Sequence, residues 1–315
     1  MSSSALEPQP SPPLLTTLPP PVRPGDRVGV AALSGPVDQD RLEAGLAALS
    51  ALGFQPQLAE NLRMKSGLFA GTDDERLEGF HRLAADPTVK AILFARGGHG
   101  VLRVLDRIDW PLLRRFPRAY VGYCDLTPFL LAVVERLGLV AFHGPMVAAD
   151  LARGLTAAEQ ESLLGCLAGE FPRSLECRTL AGSGAVEGPI LGGCLSLLTS
   201  LLGTDYSPRL AGALLFWEEV SEPPYRIDRM LTHLRLSDTL ANIAGMVIGH
   251  ITWPSAEEPE EAWSLLADDA LSTPPWPLAA GLQAGHESPN LTLPLGLVAR
   301  LDLERERLIL GPALD

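Results

Sequence analysis

What most constrains this chain is a rhythm. Short, almost wholly apolar runs alternate with segments of helical spacing. The runs are RVGVAAL (27–33), VKAILFA (89–95) and AYVGY (119–123). A strand reads as a continuous apolar run, rather than an alternating one, when both of its faces are covered, as in a parallel sheet. The intervening segments have the other period. Leu42, Leu46, Leu49 and Leu52 recur at helical spacing within 38–52, and Gly53 stands where a C-terminal cap belongs. Thr72 and Glu75 have capping-box spacing ahead of Leu77, Phe80 and Leu83, and that helix is expected to stop near Asp86-Pro87. Thr127 to Arg136 reads as a helix directly after the third run. Strands and helices in strict alternation predict a parallel sheet clothed by helices on both sides.

The rhythm weakens over 151–187, which holds one helical stretch, Thr156–Leu167, and short Gly-bearing strands over Leu175–Gly188. It resumes near 188. A helix is expected over Gly192–Leu202, a strand over Leu214–Trp217, and a helix over Pro224–Leu236 with Ile227, Met230, Leu231 and Leu234 on one face. Asn242–His250 reads as a strand and 291–310 as a β-hairpin. The division expected is therefore a disordered Pro/Ser-rich tail over 1–22, a first α/β domain over 23–150, a connection over 151–187 and a second domain over 188–315. A length of 315 residues fits two domains, and 46% hydrophobic residues suffices for a sizeable core.

Several partners are excluded by composition. A net charge of −13 without a basic block repels phosphate backbones, so no nucleic acid is expected. The longest apolar stretch, Pro128 to Phe142, is interrupted by Glu135 and Arg136, so no membrane span is expected. The N-terminus has neither the basic start nor the apolar core of a signal peptide. Cys124, Cys166, Cys177 and Cys194 form no C-x-x-C pair and no zinc pattern, and the histidines show no metal spacing, so neither metal nor cofactor is expected. The thiols read as free, in the cytoplasm.

Chemistry is expected at element ends. Cys124 lies where a strand gives way to a helix. A thiol there is exposed on a sharp turn beside helix N–H groups that can donate to an oxyanion and favour the thiolate. On residue type alone, a buried structural cysteine is the commoner outcome. The loop Arg96-Gly97-Gly98-His99-Gly100 follows another strand end and lets backbone approach a ligand. It is neither a P-loop nor a dinucleotide fingerprint. Glu218 and Glu219 end the run LLFW, where charges often mark a strand reaching water. His286 lies in a Gly-bearing loop. Thiol, carboxylate and imidazole are the parts of a triad.

In order along the chain these segments resemble the LD-carboxypeptidase family, the serine peptidases that include muramoyltetrapeptide carboxypeptidases and microcin-immunity peptidases. The resemblance runs from about Pro24, where Pro24-Gly25-Asp26 opens the first strand, to Pro312. Arg96-Gly97-Gly98-His99-Gly100 resembles the family's R-G-G-[YF]-G loop and Gly122-Tyr123-Cys124-Asp125 its G-[FY]-S-D turn. His143-Gly144-Pro145-Met146 follows. Gly192-Gly193-Cys194-Leu195 resembles G-G-N-L, and Leu201-Leu202-Gly203-Thr204 resembles L-L-G-T. Leu215 through Arg229 resembles the L-E-D…E-P-x-Y-R-[IL]-[DE]-R segment, and Gly285-His286 the G-H-G motif.

The resemblance implies a Rossmann-like N-terminal parallel-sheet domain and a smaller C-terminal α/β domain with β-rich elements. It implies a homodimer whose substrate is a murein tetrapeptide or related small peptide. It puts Cys124 in the nucleophile's place, Glu218 rather than Glu219 in the carboxylate's and His286 in the base's. Asp125 and the Gly97-Gly98 loop would supply oxyanion N–H groups, and Arg96 would offset the charge of an anionic substrate. Three positions depart from the family: Cys124 for Ser, Cys194 for Asn, and Glu287 for the glycine after His286, where an added charge is expected either to raise the imidazole or to contact a cationic substrate group. A catalytically silent binding homologue and an immunity-type peptidase acting on a peptidyl-nucleotide are the alternatives.

Overall fold

The computed structural model describes residues 15–171, 174–254 and 274–311. The first half follows the expected rhythm. Strand β1 (Arg27–Ala31) leads into helix α1 (Gln39–Ala51), capped by the Asp38 side chain accepting from the Arg41 N–H. Then come β2 (Gln55–Leu58), which has no clear sequence signal, and α2 (Asp73–Ala85), whose Thr72–Glu75 capping box is complete. After β3 (Val89–Phe94), α3 (Trp110–Arg115) and β4 (Ala119–Gly122), helix α4 (Thr127–Leu137) ends in a left-handed Gly138. β5 (Ala141–His143) closes this half. Strands β1 to β5 are all parallel, in the order β5-β4-β3-β1-β2.

Helix α5 (Ala157–Ala168) also starts from a capping box, Thr156 with Glu159. Short strands β6 (Ser174–Glu176) and β7 (Arg178–Ala181) precede the ten-residue β8 (Ala185–Cys194). Helix α6 is only Leu195–Ser200, shorter than the expected Gly192–Leu202. Gly192 and Gly193 stay in β8 with φ of +144° and +143°. A Cβ on Gly192 would lie 1.7 Å from the Phe216 carbonyl oxygen, and one on Gly193 would lie 2.5 Å from Thr127 Oγ1. The apolar run reads as a helix, but close backbone approach makes its first residues strand.

β9 (Leu214–Val220), α7 (Pro224–Leu236), β10 (Gly245–Thr252) and β11 (Leu278–Ala280) complete a parallel core with β8. The predicted terminal hairpin is β13 (Val298–Asp302) with β14 (Arg307–Leu310). Its first residues do something else. β12 (Leu293–Leu295) leaves the second sheet and pairs antiparallel with β5 in the first. The molecule is thus a mixed α/β structure of one six-stranded and one eight-stranded sheet.

The tail expectation meets described residues only from 15 on. There Thr17 bridges Leu139, Thr16 Oγ1 donates to the Gly296 carbonyl, and Val22 is buried. Residues 16–22 are therefore held by the fold, because Gly138 and Val140 beyond α4, Gly296 beyond β12 and Leu167 of α5 bond to Thr16, Thr17 and Val22; residues 1–14 lie outside the described residues.

Candidate active site

Each expected residue lies at the carboxyl end of a strand or in the loop beyond it, where parallel sheets expose backbone and bind ligands. In the first sheet, β4 ends in Tyr123, and the turn Cys124–Leu126 leads into α4. Cys124 has φ +61°, a left-handed conformation unusual for a residue with a side chain. That turn aims Cys124 towards the neighbouring β3 loop. A Cβ on Gly97 would lie 2.8 Å from Cys124 Cβ, 2.9 Å from its Sγ and 3.2 Å from the Asp125 N. Thiol, Asp125 N–H and glycine loop therefore meet at one point.

Asp125 is buried, and its Oδ2 accepts from the Val101 N–H at 2.8 Å. The carboxylate latches the end of the glycine loop to the turn that bears the thiol. The Gly97 carbonyl accepts from the Gly35 N–H at 3.2 Å. Arg96 Nη1 donates to the Pro36 carbonyl at 3.1 Å.

The second sheet supplies the other two residues. β9 runs three residues beyond the expected Trp217, so Glu218 and Glu219 do not mark a strand entering water. Both are buried, facing opposite sides by the period of the strand. Glu218 Oε2 is 2.6 Å from His286 Nδ1. Glu219 turns the other way, accepting from the Ser196 N–H at 2.7 Å and the Val220 N–H at 3.0 Å. Cys194 fills the space beside it, with Sγ 3.4 Å from Glu219 Oε1. Burial first, then the Glu218 and Glu219 charges, hold that thiol well above its usual range.

Burial works against a charged His286, but Cys124 and then Glu218 outweigh it and push the imidazole up to about 10. The groups that most raise it are these two. Glu287, expected to act on His286, instead bears on His250, whose titration is pulled down first by burial. The Tyr123 ring packs edge-on to His286, with centroids 4.9 Å apart. Behind it His143 is fully buried between Tyr123 and Phe216. Burial, with repulsion from His286 and His250, holds its imidazole down at about 3.

Sequence reasoning did not find what holds the histidine loop. Gly285 has φ +130°, and a Cβ there would lie 3.0 Å from Glu218 Oε2. Its N–H donates to Asn290 Oδ1 at 3.0 Å. The Asn290 N–H donates at 2.7 Å to Glu159, a buried carboxylate on α5 that also pairs with Arg153 at 2.8 Å. The capping-box spacing of Thr156 and Glu159 was the available signal, but it points only to a helix start.

Cys124, His286, Tyr123, Gly97, Gly98 and Arg96 all line one cavity of about 220 Å³. A larger cleft of about 430 Å³, between Val22–Pro24 and α5, contains none of the expected residues. Among the described residues no cluster of three or more His, Cys, Asp or Glu is placed to hold a metal, and no helix is long and apolar enough to cross a membrane. The site can offer a thiol, an imidazole tied to a carboxylate, and the Asp125 N and Gly97 backbone beside the thiol: the kinds of group that acyl transfer uses.

Known proteins match most of the chain. The profile of the LD-carboxypeptidase N-terminal domain matches residues 28–144, and that of its C-terminal domain matches 187–301. A probable murein peptide carboxypeptidase of Bacillus subtilis is 37% identical, the match covering 88% of this chain and 89% of the relative. The murein tetrapeptide carboxypeptidase of Pseudomonas aeruginosa is 30% identical over 89% of this chain and 94% of its own. The crystal structure of muramoyltetrapeptide carboxypeptidase from Oxalobacter formigenes superposes with a TM-score of 0.79 at 27% identity, covering 92% of this chain and 100% of that one. The microcin-immunity protein MccF, solved with glutamyl sulfamoyl guanosine, shares the fold with a TM-score of 0.86 at 23% identity, over 96% and 99% of the two chains.

Proposed function

The chain belongs to the LD-carboxypeptidase family, and from that premise we propose that it releases the terminal D-alanine of murein tetrapeptides during cell-wall recycling. The observation that supports this most is the 2.6 Å contact between His286 and Glu218, with His286 and Cys124 opening onto the same cavity. The Cys124 thiolate attacks the carbonyl carbon ahead of the terminal residue. The oxyanion that forms is held by the N–H groups of Asp125 and the Gly97-Gly98 loop. His286, which holds its proton at neutral pH, donates it to the leaving nitrogen, and D-alanine departs. The remaining thioester is resolved by water. His286 takes a proton from the attacking water, and collapse of the adduct releases the tripeptide and restores the thiolate. Glu218 keeps the imidazole oriented and favours its charged form.

Cysteine in the serine's place alters this scheme without disabling it. A thiolate–imidazolium pair is a working acyl-transfer couple, and resolution of a thioester needs the same base. The enzyme is read as cytoplasmic, where four unpaired thiols remain reduced, and, by the family resemblance, as a homodimer.

Incubation of the purified protein with L-Ala-D-Glu-diamino acid-D-Ala tests the reading. Free D-alanine is expected from the wild type and none from Cys124→Ala. Release from Cys124→Ser alone would make the natural thiol form a silent homologue. Cleavage of a glutamyl sulfamoyl nucleotide without cleavage of the tetrapeptide would move the substrate to the immunity class.

A further inference from the structure

We propose that Arg41 forms, with Arg96, an anion clamp in the active cavity that takes the free carboxylate of the residue to be released. The inference deepens the reading above, since the carboxylate it assigns is that of a C-terminal amino acid. Arg41 lies on the first turn of α1, far in sequence from every motif that suggested the site. The fold nevertheless brings it to the wall of the 220 Å³ cavity that also exposes Cys124 and His286.

Its charge is uncompensated. Among the described residues Arg63, Arg82, Arg103, Arg107 and Arg153 each pair with a carboxylate. The Arg41 guanidinium has no such partner there, and only its backbone N–H is engaged, by Asp38 Oδ1 at 2.9 Å. Arg96 is bound to a neutral carbonyl, so its charge is also free. Two open guanidinium groups thus face one cavity in a chain of net charge −13. Among the described residues Asp38 is the one carboxylate that lines the cavity, so Arg41 and Arg96 together outweigh it by one positive charge. A guanidinium fork matches a carboxylate in two parallel hydrogen bonds, and partial enclosure strengthens the attraction. An internal peptide bond would present a neutral amide at the same place. The clamp therefore selects chain ends.

Carboxymethylation of Cys124 measures the clamp without any peptidase turnover. Iodoacetate carries the carboxylate that the clamp should draw in, and iodoacetamide is its neutral counterpart. The ratio of their second-order rates at Cys124, read by mass spectrometry, is expected to fall about threefold or more in Arg41→Gln and to fall less in Arg41→Lys. In Asp38→Asn, which keeps the helix cap, the ratio is expected to rise. The same ratio in wild type and Arg41→Gln would overturn the clamp. In parallel, the KM for a tetrapeptide ending in free D-alanine is expected to rise about tenfold in Arg41→Gln, with a smaller change for the C-terminal amide. An equal rise for acid and amide would also overturn the clamp while leaving the peptidase standing. A shifted alkylation ratio in a protein that releases no D-alanine would retain the clamp and remove the peptidase.

Discussion

Cys124 combines two demands at a single residue. Its left-handed backbone, φ +61°, costs a residue with a Cβ about 1–2 kcal/mol relative to glycine. That strain holds the sulfur against Gly97, and it gives a test independent of turnover. Cys124→Gly is expected to unfold at higher denaturant than Cys124→Ala, by about 1 kcal/mol; equal midpoints would mean that the turn is not strained.

The two histidines near it titrate in opposite directions. His286 binds its proton more tightly folded than unfolded. Its contribution to stability is therefore complete below the unfolded value of about 6.5 and is lost as pH rises through about 10. The cost of His286→Gln should be largest near pH 6 and shrink towards pH 10 in urea titrations. His143 behaves in the reverse way. The folded protein refuses a proton that the unfolded chain accepts, so stability falls as pH drops from about 6.5 towards 3. His143→Gln should flatten that acid loss, and an unchanged acid limb would refute the assignment. The places of Cys124, Glu218 and His286 were legible because their types stand at element ends within recognisable motifs. Glu159 and Asn290 were not, since their hydrogen bond joins residues 131 apart in sequence.

At the scale of elements, the site depends on how closely two loops pack. Gly97 does not have a positive φ, so alanine there is not opposed by backbone conformation. It is opposed by contact, since the new Cβ would press on Cys124 at 2.8–2.9 Å. Gly97→Ala should lower the rate of D-alanine release by at least about tenfold while the melting temperature moves only a few degrees. Full activity in that variant would show that the loop does not frame the reacting carbonyl. The histidine loop depends on a similar detail. Asn290→Ala removes the acceptor for the Gly285 N–H, whereas Asn290→Asp keeps an oxygen in place. kcat should fall about tenfold in the first and recover partly in the second; equal loss in both would argue for a general packing role. Element types were largely readable from period and caps. The exceptions have physical causes. The pair Gly192-Gly193 sits in an apolar run that a helix or a strand could use, and only the neighbouring backbone of Phe216 decides between them. β2, reading Gln-Pro-Gln-Leu, has no apolar pattern because it is an edge strand.

At the scale of the whole molecule, neither sheet contains a complete site. The thiol and the glycine loop beside it follow strands of the first sheet, the carboxylate lies on a strand of the second, and the imidazole lies in the loop that leads from β11 of the second to β12 of the first. β12 follows the His286 loop and pairs with β5, placing Leu293 opposite His143. Sequence suggested two successive domains because hydrophobic periodicity is local and cannot show a strand that crosses to the other sheet. The Thr127 hydroxyl, which accepts from the Cys194 N–H at 3.0 Å, adds a second tie beside the Cys124 turn. Two halves joined only by a linker would unfold separately, whereas halves that share a strand lose it together. Trp110, on α3 of the first half, and Trp217, on β9 of the second, report each half directly. Variants retaining one or the other are therefore expected to show coincident urea transitions. Leu293→Pro should destabilise both reports equally. Pro lacks an N–H, and a strand that already contains Pro294 cannot spare another ladder bond. Separate midpoints in the wild type, or loss confined to the Trp217 report in Leu293→Pro, would mean that the crossing strand does not couple the two halves.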